Sequence, residues 1–172
     1  MCRTSNGLEF EIHPVSRALG QLIKLDAEID PSMHLTEEEK YMLTNSKGYA
    51  VLCFLGDRIV GGSYFVSALK AKDILSAADT DFVPKKHQFY LYSLVVAKEF
   101  RTFNLAVSIY EMLIEQAKTH GYKEGATHVR MIEDKPLHIA CERLCKPYET
   151  RVVRNFWPDL PEPDVEFMAF KI

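Results

Sequence analysis

Two periods organise the apolar positions of this chain. Tyr49–Leu55, Arg58–Val66, Phe89–Val96, Thr127–Ile132, Arg151–Phe156 and Val165–Ile172 are short apolar or alternating runs, which predict strands, and Leu8–Ile12 alternates more weakly as a first one. Residues 16–29 instead place Ala18, Leu19, Leu22, Ile23 and Ile29 at helical spacing. After Phe89–Val96 a second helix sets Leu105, Ile109, Met112 and Leu113, flanked by Ala106 and Ala117, against Ser108, Glu111, Glu115 and Lys118.

The punctuation agrees. His13-Pro14 stops the first strand and Pro31 closes the first helix. Thr36 with Glu39 has capping-box spacing and predicts a short helix to about Thr44. Gly56-Asp57 makes a hairpin of the two runs around it. Gly121 suits the position just past the long helix, and Pro136 opens a short helix to about Cys145. Three prolines keep Trp157–Asp164 irregular. Ser67–Lys86 reads as a long connection with a helical turn or two in Ala68–Ala78. The predicted order is β-α-α-β-β-β-α-β-α-β-β, with no repeat or linker, so residues 1–172 form a single domain.

Composition narrows the picture. The 172 residues are 47% hydrophobic with a net charge of -3, which suits a globular domain and argues against a strongly basic nucleic-acid face. The four cysteines (2, 53, 141 and 145) show no secreted-scaffold spacing, and Cys141 and Cys145 sit four apart on a predicted helix, poorly placed for a bridge. No apolar run is long enough to span a membrane, and the first residues lack the apolar core of a signal peptide. The expectation is a soluble, cytoplasmic protein. His138, Cys141 and Cys145 supply three metal-type ligands on one helix with no fourth nearby, so no metal is expected.

The strand Phe89–Val96 runs through a tight turn straight into a helix, a junction that leaves backbone N–H groups free at a positive helix end and favours a phosphate or pyrophosphate. Arg101-Thr102-Phe103-Asn104-Leu105-Ala106 in that turn resembles the Gln/Arg-x-x-Gly-x-Gly/Ala signature of the GCN5-related N-acetyltransferases (GNAT family), with Asn104 where that family usually has glycine. Ile59-Val60-Gly61 resembles the family's third strand, and the element order matches along nearly the whole chain. The resemblance implies an α/β (α+β) fold: a GNAT-like acyl-CoA N-acyltransferase with a mixed central sheet of about six to seven strands and about four flanking helices.

It also implies a cofactor site. Leu94, Val95 and Val96 would accompany the pantetheine arm of acetyl-CoA, chiefly through the backbones of Leu94 and Val96, and Arg101, Thr102, Phe103, Asn104, Leu105 and Ala106 would cradle its pyrophosphate. Asn is the residue after glycine that best tolerates a left-handed backbone, so Asn104 need not abolish the turn. The chemistry implied is direct acetyl transfer to a primary amine, which needs a base for the amine, an acid for the leaving thiolate and a donor for the oxyanion. Tyr90 stands in the family's strand-four glutamate slot, with Tyr92 on the same side of the sheet. The family's helical Asn-x-x-Ala-x-x-Leu-Tyr pattern best matches His138 to Cys145, which puts His138 with the cofactor contacts and Cys145 in the acid slot; a shifted frame offers Tyr148. Glu133 and Asp134 follow a strand near the expected cleft and suit a cationic acceptor or a water-mediated base.

The expected function is therefore an acetyl-CoA-dependent N-acetyltransferase whose partners are an acyl-CoA and an amine acceptor, with a homodimer through C-terminal strands admitted by the resemblance. Two alternatives stand beside it: a non-catalytic member of the fold that binds a ligand or protein, motivated by Asn104 and the missing carboxylate, and a transferase of longer acyl chains.

Overall fold

A computed structural model describes residues 2–3, 7–29, 34–101, 103–131, 143–160 and 163–172. Its centre is an eight-stranded mixed sheet. In chain order the strands are β1 (Cys2–Arg3), β2 (Leu8–Pro14), β3 (Tyr49–Leu55), β4 (Arg58–Ser67), β5 (Gln88–Val96), β6 (Glu124–Arg130), β7 (Lys146–Val153) and β8 (Val165–Lys171). They lie side by side as β1-β2-β3-β4-β5-β6-β8-β7. Every pairing is antiparallel except β5 with β6. The two-residue β1 takes the sheet one strand past the expected upper bound.

The helices are α1 (Val15–Ile29), α2 (Glu37–Thr44), α3 (Ala68–Ala78) and α4 (Phe103–Thr119). On one face, α4 buries Leu105, Ile109, Tyr110, Leu113 and Ala117 against Phe65, Phe89, Leu91 and Phe170. On the other, α1 and α3 bury Leu19, Leu22, Ala71 and Leu75 with Tyr64, Tyr90 and Phe167, and α2 packs onto α1 and α3. Gly61 and Gly62 sit back to back in β4. A Cβ at Gly61 would lie 2.9 Å from Ile109 Cδ1, and one at Gly62 2.6 Å from Leu22 Cδ2, so the pair sets how closely α4 and α1 approach the sheet. No helix among the described residues is long and apolar enough to cross a membrane.

Most predicted punctuation is present. The Thr36–Glu39 capping box forms in both directions. The hairpin turns at Gly56 with φ 59°, and Gly121 ends α4 at φ 80° with Tyr122 N–H reaching back to Ala117 O at 3.1 Å. Three expectations change. Much of the long connection Ser67–Lys86 is α3, three turns held down by buried Ala68, Ala71 and Leu75. The first strand continues through Pro14, paired with Tyr49, and passes directly into α1. The strand expected at Arg151 begins at Lys146. As the edge of the sheet, β7 needs no ladder donor from Pro147, and a register shift between Pro147 and Glu149 absorbs the ring. Of the helix predicted over Pro136–Cys145, Arg143 and Leu144 are helical and Cys145 is a bend; residues 136–142 lie outside the described residues.

Candidate active site

The parallel strands β5 and β6 pair only at Gln88–Glu124, Phe89–Gly125 and Tyr90–Ala126, then part. The cause is local. Between Tyr64–Ser93 and Phe65–Leu91 the β4–β5 register slips, leaving Tyr92 as an extra residue in β5 that bends the strand away from β6. Thr127 Oγ1 donates to Leu91 O at 3.1 Å and closes the vertex. Past Tyr90, β5 runs six more residues to Val96 without β6, paired with β4 alone, about 20 Å of strand.

That free edge is polar backbone. Ala97 N–H donates to Val60 O at 3.0 Å, and the Ser93 carbonyl accepts from the Ser63 hydroxyl, so both residues turn toward β4. By alternation Val95 does too, whereas Leu94 and Val96 aim their N–H and C=O groups into the fork. Arg101 Nε returns to Val96 O at 3.2 Å. Of the three strand residues expected at the cofactor, Val95 thus presents no amide to the fork.

The fork opens on a short 3-10 turn, Lys98–Phe100, and then on the N-terminus of α4, whose first N–H groups have no intrahelical acceptor. Arg101 and Asn104 are exposed there, and Leu105 and Ala106 are buried beneath them. Arg58 pairs with Glu99 at 2.6 Å, which leaves Lys98 and Arg101 as the turn's other cationic side chains. Asn104 does not use the left-handed freedom anticipated for it: it lies within the first turn of α4, and Asn155 is the only described non-glycine residue with positive φ. The asparagine therefore costs no backbone strain at this slot. Thr102 lies outside the described residues.

Tyr90 and Tyr92 share the face opposite α4, as expected. The Tyr92 hydroxyl donates to Glu39 Oε1, whose partner oxygen takes the Thr36 N–H at 2.7 Å and hydroxyl at 2.9 Å, so one carboxylate ties the start of α2 to the free arm of β5. The Tyr90 hydroxyl meets His128 Nδ1 at 2.8 Å, just past the vertex, and His128 Nε2 meets Asp79 Oδ2 at 2.9 Å. Arg151 from β7 binds the same Asp79 oxygen. Burial pushes the Tyr90 phenol well above its ordinary range. Burial would also raise Asp79, but hydrogen bonds from His128 and Arg151 outweigh it and hold the carboxyl at about 2.

Other expected participants are elsewhere. Cys145 is buried on the α4 face, across the sheet from Tyr90, and burial pushes its thiol up to about 12 despite a hydrogen bond with Tyr110. Tyr148 is on a strand rather than a helix. Its hydroxyl donates to Glu124 Oε2 at 2.7 Å, and Glu124 pairs with Gln88, eight residues and about 26 Å of strand before Val96. Glu133, Asp134 and His138 lie outside the described residues. Among the described residues no group of three or more His, Cys, Asp or Glu side chains is placed to hold a metal. His128, Asp79 and Arg151 escaped the sequence reading. The only trace was a histidine interrupting an apolar strand, and its carboxylate partner is 49 residues away.

No protein-family model matches the sequence, and no curated protein matches it. Solved structures do. The ribosomal-protein-S18-alanine N-acetyltransferase of Escherichia coli superposes with a TM-score of 0.67 at 12% identity, over 95% of this chain and 94% of that one. The fold is that of the GNAT acetyltransferases. An IAA acetyltransferase from Bacillus cereus ATCC 14579 gives 0.66 at 11% identity, over 96% and 99% of the two chains. A GNAT-family acetyltransferase from Elizabethkingia anophelis, with acetyl-CoA bound, gives 0.64 at 15%, over 98% and 100%.

Proposed function

We propose that this GNAT-fold chain is an acetyl-CoA-dependent N-acetyltransferase that passes the acetyl group directly to a primary amine. One observation carries the reading: β5 parts from β6 after Tyr90, and its free edge leads to the N-terminus of α4. An extended amide-bearing arm pairs with Leu94 and Val96 as an added strand would. A pyrophosphate suits the N–H groups of α4 beside Arg101 and Lys98. The same free N–H groups of β5 supply a donor for the oxyanion. The amine approaches the face that holds Tyr90, Tyr92 and Glu39. An acetyl-CoA-bound neighbour of the same fold supports the cosubstrate.

Calorimetric titration of the full chain with acetyl-CoA, and with CoA alone, tests this. Micromolar binding of both is the expected result. No binding at millimolar cosubstrate overturns the reading and leaves a ligand- or partner-binding member of the fold.

A further inference from the structure

Lysines gather at the end of the sheet opposite the fork. Lys85 and Lys86 precede β5, and Lys123 precedes β6. Lys171 ends β8, and Lys146, its register partner, begins β7. Lys47 stands two residues before β3, and Lys118 lies in the last turn of α4. All seven are exposed. Backbone contacts join their segments into one ledge: Lys123 N–H donates to His87 O at 2.9 Å, and Ile172 N–H to Lys123 O at 3.3 Å. The His120 ring, 4.1 Å from that of Tyr49, ties the end of α4 to the start of β3. Glu124 takes Lys85 at 2.9 Å, and Glu115 takes Lys118 at 2.8 Å. The other five lysines pair with no carboxylate among the described residues. Seven lysines against two glutamates leave the ledge at +5, and the rest of the chain therefore carries -8 within a net -3. The net charge, which by itself argues against a strongly basic face, averages over this segregation.

The fold gains nothing from such a row. Lys146 and Lys171 sit directly opposite each other on β7 and β8, and like charges so placed destabilise a strand pair. Glu124, across β6–β8 from Lys171, is already engaged by Lys85 and the Tyr148 hydroxyl. Strands lie about 4.8 Å apart, so the five steps from β3 to β7 make a ledge about 24 Å long. Its cations are all lysines, compact charges on flexible stems that can follow a phosphate backbone without a fixed geometry. One large apolar side chain is exposed on it: Tyr148, 42% exposed, with Lys85 Nζ 4.5 Å from the ring centroid. An aromatic ring among cations is the platform on which unpaired bases stack. A stably held acidic protein needs an apolar patch at the centre of its contact, and a bilayer surface takes up apolar side chains. A single tyrosine supplies neither.

We infer that this lysine ledge binds single-stranded nucleic acid, with phosphates along the ammonium groups and a base on Tyr148. Binding is independent of sequence, because lysines on phosphates carry no base readout. The inference goes beyond the acetyltransferase reading and does not rest on it. Gln88 at the ledge and Val96 at the mouth of the fork are eight residues apart on β5, about 26 Å of strand, so a strand bound at one end does not meet a cosubstrate bound at the other. Together with the acetyltransferase reading, the ledge would hold the fork at high effective concentration near amines carried on the same nucleic-acid assembly.

The test is fluorescence anisotropy of a labelled single-stranded RNA of mixed sequence, about 20 nucleotides long, titrated with the full chain. Micromolar binding is expected in about 50 mM salt. With about five phosphates neutralised, log affinity should fall against log salt with a slope near -3.5, about a hundredfold between roughly 50 and 200 mM. Combining Lys123→Ala, Lys146→Ala and Lys171→Ala should flatten that slope by about 2 and weaken binding about tenfold or more at the lower salt. Tyr148→Leu, which keeps an apolar side chain but no ring, should cost about fivefold and leave the slope as it was. No binding by about 100 μM chain in the lower salt overturns the inference, as does a triple variant that binds like the wild type. Displacement of the RNA by acetyl-CoA places it at the fork instead and overturns the ledge. Polyglutamate or phosphatidylserine vesicles that bind as tightly as the RNA, with Tyr148→Leu without effect, overturn nucleic acid as the partner.

Discussion

Two clusters of tyrosine, carboxylate and cation flank the β5–β6 junction, and solvent separates their fates. Past the vertex, Tyr90, His128 and Asp79 are 4%, 6% and 3% exposed, with Arg151 at their rim. At the closed end, Lys85 Nζ lies 2.9 Å from Glu124 Oε2 and 2.8 Å from the Tyr148 hydroxyl, but the lysine side chain is 54% exposed and Tyr148 42%. The distances are alike, but water screens the second set and is excluded from the first. Equal hydrogen-bond geometry therefore contributes more to stability in one place than in the other.

The largest effect should come from removing one buried partner. Asp79→Ala leaves Arg151 and His128 facing each other without their carboxylate and removes the acceptor for the Asp81 N–H. It should cost about 3 kcal/mol in urea unfolding, whereas Glu124→Ala at the exposed cluster should cost under about 1 kcal/mol. Equal losses would break the contrast.

Acid sharpens it. Asp79 is held at about 2 in the folded chain against an ordinary 3.8. Its folded pKa is the depressed one, so the stabilisation is fully present above about pH 4 and is lost as pH falls toward 2. The linked contribution is about 2 kcal/mol. Unfolding free energy measured between pH 5 and 2 should fall more steeply in the wild type than in Asp79→Asn, which has nothing to protonate there.

The two clusters were hidden from the sequence for different reasons. Local signals were legible: the Thr36–Glu39 cap, the Gly56 hairpin and the patterned face of α4 all follow from neighbours in the chain. The parting of β5 and β6 has no local signal, because the extra residue at Tyr92 looks like any strand residue until β4 is laid beside it. Asp79 lay in a segment without strand or long-helix periodicity, and only the packing of α3 brings it to His128. Tyr148 was offered by a shifted frame of a helical pattern, whereas it lies on the edge strand β7, where Pro147 is tolerated. Cys145 was matched by frame alone, and burial decides its chemistry.

An exposed group gains weight when a ligand removes its water. Asn104 on the first turn of α4 offers that comparison. Asn104→Asp places a carboxylate at a positive helix end and should raise stability by about 0.5 kcal/mol. The same charge faces the proposed pyrophosphate and should weaken acetyl-CoA about tenfold, near 1.4 kcal/mol. Asn104→Gly should keep or improve affinity and lose about 0.5 kcal/mol of helix stability. Opposite signs for stability and affinity in one variant, read by urea melts and calorimetry, are the mark of a cradle. Unchanged affinity in Asn104→Asp would argue against it.

The smallest effect belongs to the closed end. Lys85→Met keeps the aliphatic stem, which leaves the Tyr148 ring covered where the ammonium now sits 4.5 Å from its centroid. Only the charge is lost, along with two hydrogen bonds that water can replace. The cost should be about 0.5 kcal/mol in dilute buffer and should vanish in about 1 M salt, where the Debye length is about 3 Å. A loss that persists in salt would mean that the ammonium acts through a desolvated contact with Glu124, whose side chain is 23% exposed, and that burial of a single partner is enough to protect an ion pair. The buried cluster would then differ from the exposed one in degree rather than in kind.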